Sequence, residues 1–241
     1  MRPARPVTVR LVLAAAAVVL AACQSTPAPP SGKTVALRVE VIGGGPLRPG
    51  TVTFPEFVLY GDRTLIRADG DVPVEHHLTR EEFDRIYDRA RSAGLETART
   101  FDEQAPDAPV LEVVFGFDGG RSVTRITAPD RESPGEAGEV TRAVVVDPER
   151  DLSSPHQPYA PERVAVVAGT SSGAAEGPEW PLEPLAEGVA LNGGRCAVYD
   201  AAQVHEIRSD TTWTSRGVAY RVQVRPLLPD EADCAALTHQ P

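Results

Sequence analysis

Short runs that alternate apolar and polar residues, each stopped by Gly or Pro, constrain this chain most. Lys33 to Ile42, KTVALRVEVI, has the period-two pattern and β-branching of a strand. Gly43-Gly44-Gly45-Pro46 through Pro49-Gly50 ends it. Val52 to Tyr60 resumes as a strand, with Pro55 implying an edge or a bulge. Gly61-Asp62-Arg63 then turns into Thr64-Leu65-Ile66-Arg67, which makes a hairpin. Val110 to Phe117 and Ser122 to Thr127 form a second hairpin around Asp118-Gly119-Gly120. Thr141 to Val146 reads as a further strand, and Arg163 to Ala168 fits a helical turn or a strand. Gly and Pro account for 43 of 241 residues, well above average usage.

The clearest helix lies at 80–93. Thr79 is its N-cap and Glu82 completes a capping box, with Leu78 and Phe83 at the staple positions. Phe83, Ile86, Tyr87 and Ala90 share one face, and Gly94 stops the helix. Near the C-terminus the same grammar returns. Arg195 to Tyr199 is a short strand, and Asp200 with Gln203 caps a helix predicted over 201–208. Gly217 to Leu227 alternates, with Val218, Tyr220, Val222 and Val224 on one side and Arg221, Gln223 and Arg225 on the other. The fold class expected is α+β: a mostly antiparallel sheet, two short helices packed on it, and Pro/Gly-rich loops.

The first 22 residues read as an address. Arg2, Arg5 and Arg10 precede the uncharged run Leu11 to Leu20, which is half the length of a membrane-spanning helix and has the flanks of a secretory signal peptide. Leu20-Ala21-Ala22-Cys23 resembles a bacterial lipobox, in which the Cys thiol is lipidated and cleavage falls just before it. Acyl chains such as palmitate on Cys23 would then hold the chain in the lipid bilayer, at the outer face of the cell membrane. The shortened chain keeps 34 acidic and 21 basic residues, a net charge of −13 against −10 for the full sequence. A nucleic-acid partner is excluded by that sign. An anionic lipid surface would hold such a domain off, while calcium or a basic partner could bridge it. Cys196 and Cys234 are left as an even pair in an oxidising compartment, and a disulfide between them would close a loop of about 38 residues.

The domain plan expected from these signals is a leader over 1–22, a flexible tether over 23–32, and a main α+β domain over 33–168. An acidic loop or linker over 169–188 and a small disulfide-stapled β-α-β segment over 189–241 complete it. The last segment is too short to fold alone, so it should pack against the body, directly or as a stapled subdomain.

Candidate chemistry is sparse. Asp69 and Asp71 with His76 and His77 are metal-capable, yet adjacent side chains diverge, which makes the His pair awkward for one ion. Gly169-Thr170-Ser171-Ser172-Gly173 matches GxSxG with Ser171 at its centre. His205 or His239 would be the base and Asp200 or Asp210 its orienter. A flexible Gly/Ser loop and surface histidines are the plainer readings. No cofactor is implied.

Taken together, several segments resemble a group of secreted lipoproteins from high-GC Gram-positive bacteria (actinobacteria). They are Phe57-Val58-Leu59-Tyr60-Gly61-Asp62, the helix from Leu78-Thr79-Arg80-Glu81-Glu82 to Ala93-Gly94-Leu95, and Asp107-Ala108-Pro109. Tyr159-Ala160-Pro161-Glu162-Arg163, Trp180-Pro181-Leu182, Cys196, and Val224 to Asp230 before Cys234 agree. The group is uncharacterised, so the resemblance implies a location and the Cys196–Cys234 link but no reaction. Asp62-Arg63-Thr64 departs from it, since the group often carries Asp-Gly there. The function expected is a membrane-anchored binding or interaction module of the cell envelope, with an envelope protein as partner. The alternative is a secreted hydrolase using Ser171.

Overall fold

A computed structural model describes residues 27–44, 49–70, 72–102, 105–171 and 177–238. The fold is α+β, mostly antiparallel, with short helices packed on a sheet. The elements in chain order are β1 (Val35–Ile42), β2 (Phe57–Tyr60), β3 (Thr64–Arg67), β4 (Val74–His77), α1 (Arg80–Ser92), β5 (Arg99–Phe101), β6 (Val110–Phe117) and β7 (Gly120–Thr127). Next come α2 (Glu136–Ala143), α3 (Pro148–Asp151), β8 (His156–Pro158), β9 (Arg163–Thr170), β10 (Val189–Leu191), β11 (Gly194–Asp200), β12 (Thr211–Ser215) and β13 (Val218–Pro226). An eight-stranded sheet runs β5-β7-β6-β1-β2-β3-β4-β8, and a five-stranded sheet runs β10-β11-β9-β13-β12. Every neighbouring pair is antiparallel except β5 with β7.

β1 shows why the larger sheet forms. Leu37 and Val39 point into one core with Phe115, Leu59 and Leu111, while Arg38 and Glu40 point to the other face. α1 covers the first face with Phe83, Ile86, Tyr87 and Ala90. Tyr87 stacks on Phe115 at 4.7 Å between ring centroids, and its hydroxyl donates to the Gly116 carbonyl. The capping box is present: Thr79 N–H donates to Glu82 Oε2 at 2.7 Å, and Glu82 N–H donates to Thr79 Oγ1. The buried Glu82 also accepts from the backbone N–H and hydroxyl groups of Ser153 and Ser154. Arg89 donates to the carbonyls of Ala143 and Val145 and pairs with buried Asp151. One helix thereby fixes the course of the chain from 143 to 154.

Four expectations need correction. Thr141 to Val146 is no strand, because α2 runs through Ala143. Val140 and Val144, four residues apart, share the face that enters the α1 core, and Thr141 Oγ1 donates to Ala137 O within the helix. The helix expected over 201–208 is only a 3₁₀ turn, Ala201–Gln203, although the Asp200/Gln203 capping box is formed. Beyond buried Val204, only half-buried Ile207 offers an apolar contact, too little to propagate a helix. The strand expected from Val52 starts at Phe57. Val52 instead exchanges two 2.9 Å hydrogen bonds with the Gln223 side chain, which carries this segment across to the smaller sheet. The tether over 23–32 is fixed where it is described: Pro30 is buried, and the carbonyls of Ala28 and Gly32 accept from Asp118 and Asp62 N–H.

The division at 168/169 falls inside β9. This strand is the middle of the five-stranded sheet, paired to β11 and β13. The rest of 169–188, where described, is ordered: Trp180 N–H donates to Thr214 O at 2.7 Å and covers the outer edge of β12.

Acid should lower the stability of the protein in two stages. His76 is buried, with Nδ1–H donating to Ser154 O and Nε2 accepting from Arg67 Nε, so the packed form is neutral. Burial lowers its pKa, with Arg67 and His156 acting in the same direction against Ser154 and Glu82. A lowered His contributes stability above its unfolded pKa of about 6.5, and that contribution is lost as pH falls. Glu82, Asp151 and Glu231 are held below the usual carboxylate range by hydrogen bonds and charges that outweigh their burial. Their contribution is present above about pH 4.3 and is lost below it. Urea midpoints measured from about pH 8 to 3 should fall first below about 6.5 and more steeply below about 4.3. In His76→Asn the upper step should vanish, and its persistence would remove His76 as the cause.

Candidate functional site

The two sheets meet along a seam built from charge. β1 presents Arg38 and Glu40, β2 presents Tyr60, β13 presents Arg225, and the chain after β13 returns with Asp230 and Glu231. Glu231 is 2% exposed. It accepts from Arg225 Nη1 at 2.5 Å, Arg225 Nη2 at 2.9 Å, Arg38 Nη2 at 2.8 Å and Leu228 N–H at 2.9 Å. Arg38 also pairs with Asp230 at 3.2 Å and lies 3.5 Å from Glu40, whose carboxylate accepts from Thr53 Oγ1. Tyr60 donates its hydroxyl to Asp230 Oδ1 at 2.5 Å. Arg225 stacks over Phe54 and donates to Thr53 O. Burial alone would raise the Glu231 pKa, but Arg225, Arg38 and the Leu228 N–H hold it down. Tyr60 is pushed up by burial and then by Asp230, so it stays a neutral donor.

A cavity lies on each side of this partition. One, of about 350 Å³, is lined by Tyr60, Tyr159, Asp62, Glu75 and Glu162, with Lys33, Arg163 and His77 as its basic side chains. Tyr159 donates to Leu227 O at 2.8 Å, and its pKa is pushed up to about 12 by burial and then by Glu75, Glu231, Asp230 and Glu162. Glu75 is mostly buried and pairs at 3.1 Å with His77, which is 70% exposed. The second cavity, of about 600 Å³, has Lys33, Arg38, Arg121, Val114 and Asp230 in its walls.

The residues singled out in the sequence do not converge on one centre. His76 is 3% exposed and faces inward on β4 while His77 faces solvent. Asp69 pairs with Arg67 at 3.3 Å, and Asp71 lies outside the described residues. No group of three metal-capable side chains is found among the described residues. Ser171 follows strand β9, as an elbow serine would, but its N–H donates to Ala219 O and simply extends the ladder. Gly169 has a packing role, since a Cβ there would collide with the Pro49 carbonyl. His205 contacts Ala202 O and Glu206, Asp200 caps its turn, and Asp210 pairs with Arg221, so these three candidate partners of Ser171 are engaged elsewhere. Ser172, Gly173, His239 and Cys23 lie outside the described residues. Cys196 and Cys234 are bonded, with their Cα atoms 6.1 Å apart.

No family model, curated protein or solved structure matches this chain. The resemblance to actinobacterial secreted lipoproteins therefore finds no relative to rest on, and it is withdrawn together with the descriptors signal peptide, lipoprotein, palmitate, membrane and secreted. Of that set the disulfide stands. Among the described residues no helix is long and apolar enough to cross a membrane, which bears neither on lipid attachment nor on a β-barrel.

Arg38, Tyr60, Arg225, Asp230 and Glu231 were not singled out by motif. For Arg38 and Arg225 the trace in the sequence is charge on the polar side of two alternating strands, which usually means solvent.

Proposed function

We propose that the protein is a binding module that takes a cationic partner in the seam cavity beside Tyr159. The observation that carries this reading is the lining of that cavity. Asp62, Glu75 and Glu162 stand against Lys33, Arg163 and His77, and two tyrosines supply aromatic wall. A site of this kind favours an ammonium or guanidinium group, through carboxylate pairing and the negative face of the ring. The partition behind it is held by buried ion pairs, so the walls are set before any ligand arrives. The net charge of −10 would steer a basic partner from a distance. A location outside the cytoplasm belongs to the same proposal and draws support from the Cys196–Cys234 bond.

Calorimetric titration with a Lys/Arg-rich peptide and with its acidic counterpart tests this. The basic peptide should bind, and binding should weaken as salt is raised. Glu75→Gln with Glu162→Gln should weaken it about tenfold or more, with the melting temperature little changed. Equal binding of both peptides, or an unaffected double variant, would overturn the proposal.

A further inference from the structure

The chain contains one asparagine, Asn192, and Gly193 follows it. The pair forms the whole two-residue loop of the β10–β11 hairpin, between the partners Leu191 and Gly194. Both residues have positive φ, 46° and 72°, the backbone of a type I′ turn, which Asn-Gly fits best. Both are exposed. The same dipeptide is open to one covalent reaction, because Gly has no side chain to shield its nitrogen from the neighbouring carboxamide.

The tip of this hairpin is the seat of another segment. Asn192 O accepts from Gly50 N–H at 2.9 Å, and Asn192 Nδ2 donates to Thr51 O at 3.1 Å. Glycines let the backbones lie this close. A Cβ on Gly50 would come to 2.5 Å from Gly169 N in β9, and one on Gly194 to 2.6 Å from Gly50 Cα. Directly beyond the seat, Val52 holds the Gln223 amide and packs with Cys196 and Cys234. Asn192 thus fastens the connection between β1 and β2 onto the smaller sheet.

We propose that Asn192 is a site of spontaneous deamidation, which the seated hairpin slows and whose products unseat residues 50–52. The Gly193 nitrogen, having given its proton to solvent base, attacks Asn192 Cγ. A C–N bond forms, the Cγ–Nδ2 bond breaks, and Nδ2 takes a proton from water and leaves as ammonia. Water then opens the cyclic imide at either carbonyl. One opening gives aspartate, and the other gives isoaspartate, with the main chain rerouted through Cβ. No oxidant or reductant takes part. The near-planar ring eclipses Cβ and Gly193 N about the Cα–C bond, a ψ that a type I′ turn does not have. Ring closure therefore requires the tip to open and Nδ2 to leave Thr51 O. Aspartate at 192 replaces that donor with a carboxylate facing a carbonyl, and isoaspartate lengthens a loop that sets the strand register. The inference uses no residue of the seam cavity.

The full chain, with its disulfide intact, is aged in mildly alkaline buffer, native and in guanidinium chloride. Mass spectrometry follows the tryptic peptide 164–195, which holds the one Asn and no Gln. Deamidation should be about tenfold or more slower in the native chain, as for a site that reacts only after local opening. Gly50→Ala, whose Cβ pushes the segment off β9, should raise the native rate about fivefold or more when measured well below its own melting temperature. The deamidated chain, and Asn192→Asp in a chain never aged, should exchange the Gly50 and Val52 amide hydrogens about fivefold faster than the fresh parent. Equal rates in the native and unfolded chains, a native rate indifferent to Gly50→Ala, or unchanged exchange at Gly50 and Val52 overturns the assignment.

Discussion

Glu231→Ala should cost about 3 to 5 kcal/mol of folding free energy, the range for removing one partner of a buried ion pair. The reason is what remains. Arg225 is 3% exposed and would keep a buried guanidinium with only backbone acceptors, at Thr53 and Pro226. Arg38 would retain Asp230 and Glu40, so the loss concentrates on Arg225 and on the Leu228 N–H. Urea unfolding followed by circular dichroism would measure it, with an unchanged slope indicating that only stability moved. A loss under about 1 kcal/mol would show that water relaxes into the seam and that the pairs do not hold it. Replacing both partners, Arg225→Met with Glu231→Leu, should recover much of the loss, because no lone buried charge is left.

The second large effect is expected at the disulfide. Cys196→Ser with Cys234→Ser should remove about 4 kcal/mol in the chain-entropy model, for a sequence separation of 38. The bridge ties the last 3₁₀ turn, Cys234–Leu237, to β11 in the core shared with Val52, Ala165, Leu191 and Leu227. Trp180 and Trp213, packed edge to face at 5.5 Å on the same sheet, give an intrinsic fluorescence signal for its unfolding. The unreduced and reduced parent should differ by the same amount as parent and double variant. A shift under about 1 kcal/mol would mean that the tail is held by Glu231 and Leu237 without the covalent link.

Local signals were readable where one residue type has one physical use. The Thr79/Glu82 capping box, the Gly61-Asp62-Arg63 turn and the alternation of β1, β6 and β13 all correspond to what the chain does. Arg63 takes a positive φ of 72° in that turn, a conformation that favours Gly, Asn or Asp and that an Arg does not announce. Pattern failed where contacts were distant. Val144 to Val146 are β-branched and read as strand, but α2 is selected by the α1 surface it meets. The seam was invisible for a stronger reason. Arg38 and Glu231 stand 193 positions apart, and neither belongs to a motif that names the other. Gln223 replaces a strand partner for Val52 through its side-chain amide, a substitution that no periodicity encodes.

The position of Asp230 and Glu231 also sets an order of assembly. All eight strands of the larger sheet have left the ribosome soon after residue 158 is made, so that sheet and its helices have their full complement of partners early. Tyr60 does not, and Arg38 has only Glu40, because Asp230 and Glu231 are made well after β8. Until then the larger sheet displays Arg38 and Tyr60 without Asp230 and Glu231, and the seam closes only when those acids arrive.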